Sequence, residues 1–357
     1  MVPAGMEAMT MNASLVNTAP KAQEVPEQQA GEIKSDKKHK GGSIKRRRFW
    51  SNLVIYIILV IMSVIWLAPV VWLVLMSFSG DVGLIGFSRF IPSSWTFQNY
   101  VNLFTNKVND GNGGLMDSLY VFFFKVTSSG KVILGSFIYT LIIAICSAII
   151  STIFCLATSY AFSRLRFKGR QGMMKAILLL GMFPGFLGLI VLYQIFAMLG
   201  MTNADYPALQ VITIVIVYSG GAGMGYYISK GFFDTISKQI DEAAMVDGAS
   251  RFQIFYKITL PLSKPIIVYT ILTSFMGPWA EYMASSYILR SSQNAAIGGP
   301  VTVAPQLQNM ISDLNRRGTY FTTFCTAAVV IAIPTSLLFI LLQKNYVSGV
   351  TGGAVKG

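Results

Sequence analysis

The segment Glu242-Ala-Ala-Met-Val-Asp-Gly-Ala-Ser-Arg-Phe-Gln-Ile-Phe-Tyr-Lys-Ile-Thr-Leu-Pro261 lies between two long apolar runs, and its reading decides the architecture. A short helix is predicted to end at Gly248, because glycine tolerates the left-handed backbone of a helix stop. A second helix is predicted over Ala249–Lys257, and Pro261 is expected to break the chain before the next apolar run. A helix–glycine–helix lying on a membrane face is a compact, stiff knob. Such a knob transmits a push from a soluble partner, where a floppy loop does not. The composition of the segment alone favours an ordinary amphipathic interfacial loop, so its surroundings and its spacing have to decide.

Of the residues, 53% are hydrophobic and 12% charged, with a mean hydropathy of +0.57. Soluble domains carry about 25% charged residues. Half that charge, together with continuous apolar runs, means a polytopic membrane protein. Only helices or closed barrels satisfy their backbone groups in lipid, and unbroken rather than alternating runs select helices. Six spans are predicted, Leu53–Phe78, Leu134–Phe162, Met174–Leu199, Ala208–Ser229, Pro265–Leu289 and Phe321–Tyr346, giving an all-α fold. The chain divides into a disordered basic tail (1–48), a six-helix transmembrane domain (49–346) carrying the loop 237–261, and a short C-terminal tail (347–357).

Charge placement sets the orientation. Lys34, Lys37, Lys38, Lys40 and Lys45–Arg48 precede the first span. Arg164, Arg166, Lys168 and Arg170 follow the second, and Lys230, Lys238, Arg251, Lys257 and Lys264 follow the fourth. The positive-inside rule puts these loops and both termini in the cytoplasm. It also explains the net charge of +13 without nucleic acid, leaving contact with anionic lipid as a side effect. The first run is too long for a signal peptide and lacks a small-residue cleavage site, so an uncleaved first span is expected. Two outside loops are long. In the first, Trp95, Phe97, Tyr100 and Phe104 are expected on one face of an interfacial helix. The second, Arg290–Tyr320, is rich in Gly, Asn, Gln and Ser, and long outside loops are often binding surfaces.

Several chemistries have little to build from. Cys146, Cys155 and Cys325 all sit in apolar runs without metal-ligand spacing. The single histidine, His39, lies in the basic tail, so neither a metal site nor a catalytic residue is expected. Gly130-Lys131 lacks the glycine spacing of a phosphate-binding loop, so the chain is expected to hydrolyse no ATP itself.

The spacing Glu242-Ala243-Ala244, Gly248, then Ile258 and Leu260-Pro261 resembles the signature loop of ABC import permeases. Tyr160–Gly169 and Trp95–Tyr100 resemble carbohydrate-uptake permeases, and Lys230–Ile236 and Gly349–Gly357 resemble the second permease subunit of maltose and maltodextrin importers. The likeness covers roughly residues 50–357. It implies a type I importer fold in a bacterial cell membrane. The implied partners are a second permease, two ATPases that use ATP and Mg2+, and an extracellular sugar-binding protein, with an oligosaccharide as cargo. It further implies that Glu242, Ala243, Ala244, Asp247, Gly248 and Arg251 lie at or near the ATPase contact. Gly352, Gly353, Lys356 and Gly357 would belong to a tail reaching between the ATPases, and loop 290–320 would reach the binding protein. The long N-terminal tail and the extended first outer loop depart from the family pattern.

Glu281 is the only carboxylate deep in a predicted span, and an intramembrane carboxylate is a functional candidate. With Trp279 and Tyr282 it is a candidate for the sugar path; the alternative is a helix–helix hydrogen bond. Gly220, Gly221, Gly223 and Gly225 suggest close helix packing or a flexible gate, with packing favoured. The rival to an ATP-driven importer is an ion-coupled carrier, for which Glu281 alone is a thin supply of coupling groups.

Overall fold

The computed structural model describes residues 41–81, 89–109, 114–182, 185–220, 225–289, 299–312 and 314–354. The expected disordered stretch 1–33 and the first lysines of the basic run lie outside them. Two units are distinguished, Met1–Ala68 and Pro69–Gly357. The described part of the first is the start of helix α1 (Gly41–Ser77); the second holds every other element.

Helix α2 (Gln98–Thr105) leads into two antiparallel hairpins, β1 (Lys107–Asn109) with β2 (Leu115–Asp117) and β3 (Phe124–Val126) with β4 (Val132–Leu134). Then come α3 (Ser136–Arg164), α4 (Arg170–Gly181), α5 (Gly185–Met198), α6 (Pro207–Gly220), α7 (Gly225–Thr235) and α8 (Lys238–Val246). Helix α9 (Arg251–Leu262) precedes α10 (Lys264–Ala280), α11 (Met283–Ile288), α12 (Val303–Met310) and α13 (Leu314–Ala354).

Three single helices are long and apolar enough to cross a membrane, within α1, α3 and α13; the count reaches six among the described residues if each of three bent pairs is one span. Helices α4 and α5 meet at 100°, α6 and α7 at 45°, and α9 and α10 at 81°. The predicted third and fourth spans are therefore each two helices. The predicted fifth span, Pro265–Leu289, is also interrupted: α10 stops at Ala280, and Glu281 adopts extended backbone before α11 begins. The final helix continues to Ala354, past the predicted end at Tyr346.

Helix α3 is the central element, packing against α10, α7 and α6. Its buried face is a stripe of small residues at helical spacing: Thr140, Ala144, Ser147, Ala148, Ser151, Cys155 and Ser159. Small side chains let helix backbones approach closely where lipid offers no hydrophobic drive. The hydroxyls turn back onto their own helix, as Thr140 Oγ1 donates to Ser136 O at 2.8 Å and Ser159 Oγ to Cys155 O at 2.5 Å. Ser159 Oγ also lies 2.9 Å from Tyr226 O, tying α3 to α7. Around the stripe, one cluster joins Phe122, Phe275, Trp279, Val303 and Ala327, and another joins Ile143, Leu189, Ile214 and Ile288.

The first outer loop is more ordered than its composition suggests. Trp95 pairs in a bridge with Ser79, and the helix starts only at Gln98. Tyr100 turns inward, its hydroxyl 2.8 Å from Ser77 Oγ, while Trp95 and Phe97 stay exposed. The four aromatics thus do not share one face. The hairpins have no clear sequence signal, since their strands are three residues long. Asp81 staples the loop by accepting from the hydroxyl and backbone N–H of Ser93, bonds that hold its carboxyl below the usual range. In the second outer loop, α12 folds back with Val303 and Met310 buried, so this half of Arg290–Tyr320 is core rather than a solvated connector.

Gly135 connects the hairpins to α3, and its amide donates to Phe123 O at 2.7 Å. A Cβ there would sit 2.3 Å from the backbone carbonyl of Phe122. Backbone cannot yield as a flexible side-chain end can. Gly135→Ala is expected to destabilise the protein by about 1–3 kcal/mol, the usual cost of overpacking, read as a lower melting temperature in detergent. An unchanged melting temperature counts against this close approach.

Candidate functional site

The segment Glu242–Pro261 lies within a pair of short helices joined at one glycine. Helix α8 is capped by Ser237, whose side chain accepts from Gln239 N at 3.3 Å. It ends at Val246, with Gly248 at φ +82°. Gly248 N donates to Met245 O (3.1 Å) and Ala249 N to Ala244 O (2.9 Å), the paired bonds of a Schellman stop. A reciprocal cap follows at once: Ser250 Oγ accepts from Gln253 N, and Gln253 Oε1 accepts from Ser250 N at 2.8 Å. Capping at both sides of Gly248 makes the turn stiff.

The break expected at Pro261 before the next apolar run is present, but two residues later. Helix α9 contains a π turn over Phe255–Thr259, in which Leu260 N donates to Phe255 O. A wider turn just before the proline relieves the clash its ring makes with the carbonyl four residues back. The helix therefore continues to Leu262, and the 81° bend falls at Ser263, with Pro265 in the first turn of α10.

Four contacts fix this knob and the residue before it to the end of α3. Arg164 Nε lies 2.9 Å from Asp241 Oδ2, with side chains only 4% and 11% exposed. Arg164 Nη2 donates to Ile236 O at 2.8 Å. The Tyr160 hydroxyl donates to Arg251 O at 3.3 Å, and its ring packs on Phe255 with centroids 4.7 Å apart. Nearby, Asp234 accepts from Ser163 Oγ (2.6 Å) and pairs with Lys230 (2.5 Å), holding the end of α7 to the same place.

The knob's other face is open. Glu242, Ala243, Asp247, Gly248 and Arg251 are exposed, while Ala244 is buried against the bundle. Beside them Met245, Phe252 and Tyr256 are exposed, and Val246 is 87% exposed. Exposed apolar side chains rimmed by charges mark interaction surfaces.

The second candidate group does not come together as one site. Glu281 occupies the break between α10 and α11, where its carboxylate accepts from Ala284 N (3.0 Å), Ser285 N (3.2 Å) and the Tyr218 hydroxyl (2.9 Å). It caps α11 and ties it to α6, which is the helix–helix bond that rivals a substrate role. It also borders a cleft of about 870 Å3 between α5, α6 and α11. Trp279 points the other way, buried between Phe137 and Phe275, and Tyr282 is exposed. Of the span-four glycines, Gly220 has open space around it among the described residues and a Cβ on Gly225 would there meet Cys155 Sγ at 3.6 Å, so packing against the described residues does not explain these two. Gly221 and Gly223 lie outside the described residues. Gly352 and Gly353 continue α13 as helix, whereas Lys356 and Gly357 lie outside the described residues.

Comparison with known proteins fits this arrangement. Residues 153–352, from mid-α3 through most of α13, match the family described as the binding-protein-dependent transport system inner membrane component. The chain belongs to that family of ABC-importer permeases. Over 316 residues it is 36% identical to the galactooligosaccharides transport system permease protein GanQ of Bacillus subtilis, covering 88% of this chain and 99% of that protein. It is 30% identical over 317 residues to the maltodextrin transport system permease protein MalD of Streptococcus pneumoniae, with the same coverage. The fold matches a chain from the crystal structure of a bacterial ABC transporter involved in importing the acidic polysaccharide alginate, with TM-score 0.61, 22% identity, and 84% and 97% coverage. As a permease the chain is a multi-pass cell-membrane protein and a transport component, not an enzyme. The ion-coupled carrier is set aside by this membership.

The permease's Arg164–Asp241 pair escapes a reading of the sequence, in which Arg164 serves as a topology charge and Asp241 stands unremarked beside Glu242. A signal exists: Asp241 and Ala244 are three apart, so they share the buried face of a helix that exposes Glu242. Removing one partner of a buried pair costs about 3–5 kcal/mol, while replacing both with apolar groups is often neutral. Asp241→Ala is expected to destabilise the permease by that amount, and Arg164→Met with Asp241→Leu to recover most of it, in thermal unfolding of purified protein. Equal loss in single and double variants refutes the pair's role.

Proposed function

We propose that this permease carries an oligosaccharide across the membrane in an importer driven by two cytoplasmic ATPases that bind ATP and Mg2+. A second, related permease and an extracellular sugar-binding protein complete it. What carries the reading is the α8–Gly248–α9 knob: a stiff, doubly capped turn, seated on α3 through a buried ion pair, with apolar side chains open to a partner. ATPase closure pushes the knob, α9 passes the motion through the bend at Ser263 to α10, and the bundle alternates its access. Both termini lie in the cytoplasm in this arrangement, as the loop charges require. The mechanism asks nothing of Glu281 beyond holding α11 to α6, so this subunit serves as wall and gate.

The names of the relatives support an oligosaccharide. The motif likeness favours maltodextrin, but GanQ is more identical to this chain than MalD is, so galacto-oligosaccharides are an equal candidate. The stretch 290–298 of the second outer loop, which lies outside the described residues, is the proposed contact for the binding protein, because α12 beyond it is committed to the core. Shortening that stretch is expected to abolish stimulation of ATP hydrolysis by the binding protein while the complex still assembles. Normal stimulation removes the contact.

Proline cannot adopt the positive φ of Gly248. Gly248→Pro is expected to leave the subunit inserted and assembled, to retain ATP hydrolysis, and to lose sugar uptake. Normal uptake by that variant rejects the knob as the coupling element.

A further inference from the structure

A cleft of about 510 Å3 opens between the turn after α3 and the start of α8 and α9. Five cations line it: Arg164, Arg166, Arg170, Lys238 and Arg251. Against them stand two carboxylates, Asp241 and Glu242. Asp241 is engaged with Arg164, and among the described residues the other four cations make no ion pair. The lining therefore keeps an excess of positive charge.

The buried groups point to a ligand. The Arg164 side chain is only 4% exposed, yet its Nη1 has no hydrogen-bond partner among the described residues. Arg170 Nε is likewise buried and unpartnered. A buried guanidinium N–H without an acceptor is costly; both residues line this one cleft, where the buried Asp241 Oδ1 is also unpartnered among the described residues, and its surplus of cations favours an anion with several acceptor oxygens. A phosphate group supplies these, and guanidinium forks match it.

The position selects its source. The cleft lies at the turn between the end of α3 and the start of α4, which the functional reading above puts at the cytoplasmic ends of spans, the level at which headgroups sit. Leu165, Phe167 and Met245 line it beside the cations, and Phe167 and Met245 are exposed. Cationic pockets between cytoplasmic span ends with an apolar border suit an anionic lipid. We propose that this cleft binds the phosphate of an anionic phospholipid headgroup, wedged between the end of α3 and the coupling knob. The inference rests on the functional reading above only for which side of the membrane the cleft faces. A lipid there would make the seating of the knob depend on the charge of the inner leaflet.

The test uses the full chain purified in mixed micelles of phosphatidylglycerol and phosphatidylcholine, with retained lipid counted by native mass spectrometry. Wild type is expected to retain phosphatidylglycerol selectively. A cation beside an anionic surface contributes about five-fold in affinity, so Arg166→Gln with Arg170→Gln is expected to weaken retention by about 25-fold. Lys257→Gln with Lys264→Gln, which removes two cytoplasmic-loop cations outside the cleft, is expected to leave it unchanged. Equal loss in both double variants, or retention without preference for the anionic lipid, overturns the proposal. Stabilisation of wild type by millimolar inorganic phosphate, without lipid preference, overturns the lipid as the source. Stabilisation by poly-glutamate and not by phosphatidylglycerol overturns it in favour of an acidic protein segment. Because the readout is binding, it stands or falls separately from the uptake result for Gly248→Pro.

Discussion

The close approach allowed by the small residues of α3 is the constraint on which the rest depends. With Ala144, Ser147, Ala148 and Ser151 at the contact, α10, α6 and α7 all reach one helix. Leucines at the same positions would keep the apolar character and hold the neighbours off. Because van der Waals contact rather than water exclusion holds spans together in lipid, that distance is the main stabilising variable. The hydroxyls cost little in this setting, since Thr140, Ser147 and Ser159 each donate back to their own helix. The bundle then has a central axis, and further elements hang from its two ends: the hairpins at Gly135 and the knob at Arg164.

The class of the fold is legible because a membrane reduces the choices. Long apolar runs locate the helices, and the spacing around Gly248 locates the knob and its turn correctly, since both depend on local backbone preference. What stays hidden depends on partners distant in sequence. The break at Glu281 is set by Tyr218 and by amides beyond it, so hydropathy reads straight through it. The inward turn of Tyr100 is set by Ser77. The break expected at Pro261 falls two residues later because the π turn that accommodates the proline leaves no mark in composition. Asp241 is hidden because its neighbour Glu242 is the signature residue, while the buried carboxylate does the anchoring.

The two ends of the permease handle polar cost differently. At Glu281 a carboxylate deep in a predicted span is met by two amides and a phenol, so the interruption it sits in is locally satisfied. At Arg164 a cation is buried with one nitrogen paired to a carboxylate, one bonded to a carbonyl and one without a partner among the described residues. The first arrangement is complete within the chain. The second is unfinished, and unfinished polar sites are where another molecule contributes most.

The Arg164–Asp241 pair has a consequence for biosynthesis. Arg164 emerges from the ribosome well before Asp241, and at about 5–20 residues per second the interval lasts several seconds. During that time Arg164 has no Asp241 to pair with, and it counts with Arg166 and Lys168 among the loop cations that the positive-inside rule weighs. Only when α8 has been made does its carboxylate arrive to neutralise and bury it. The ion pair cannot form until the helices in between have been synthesised.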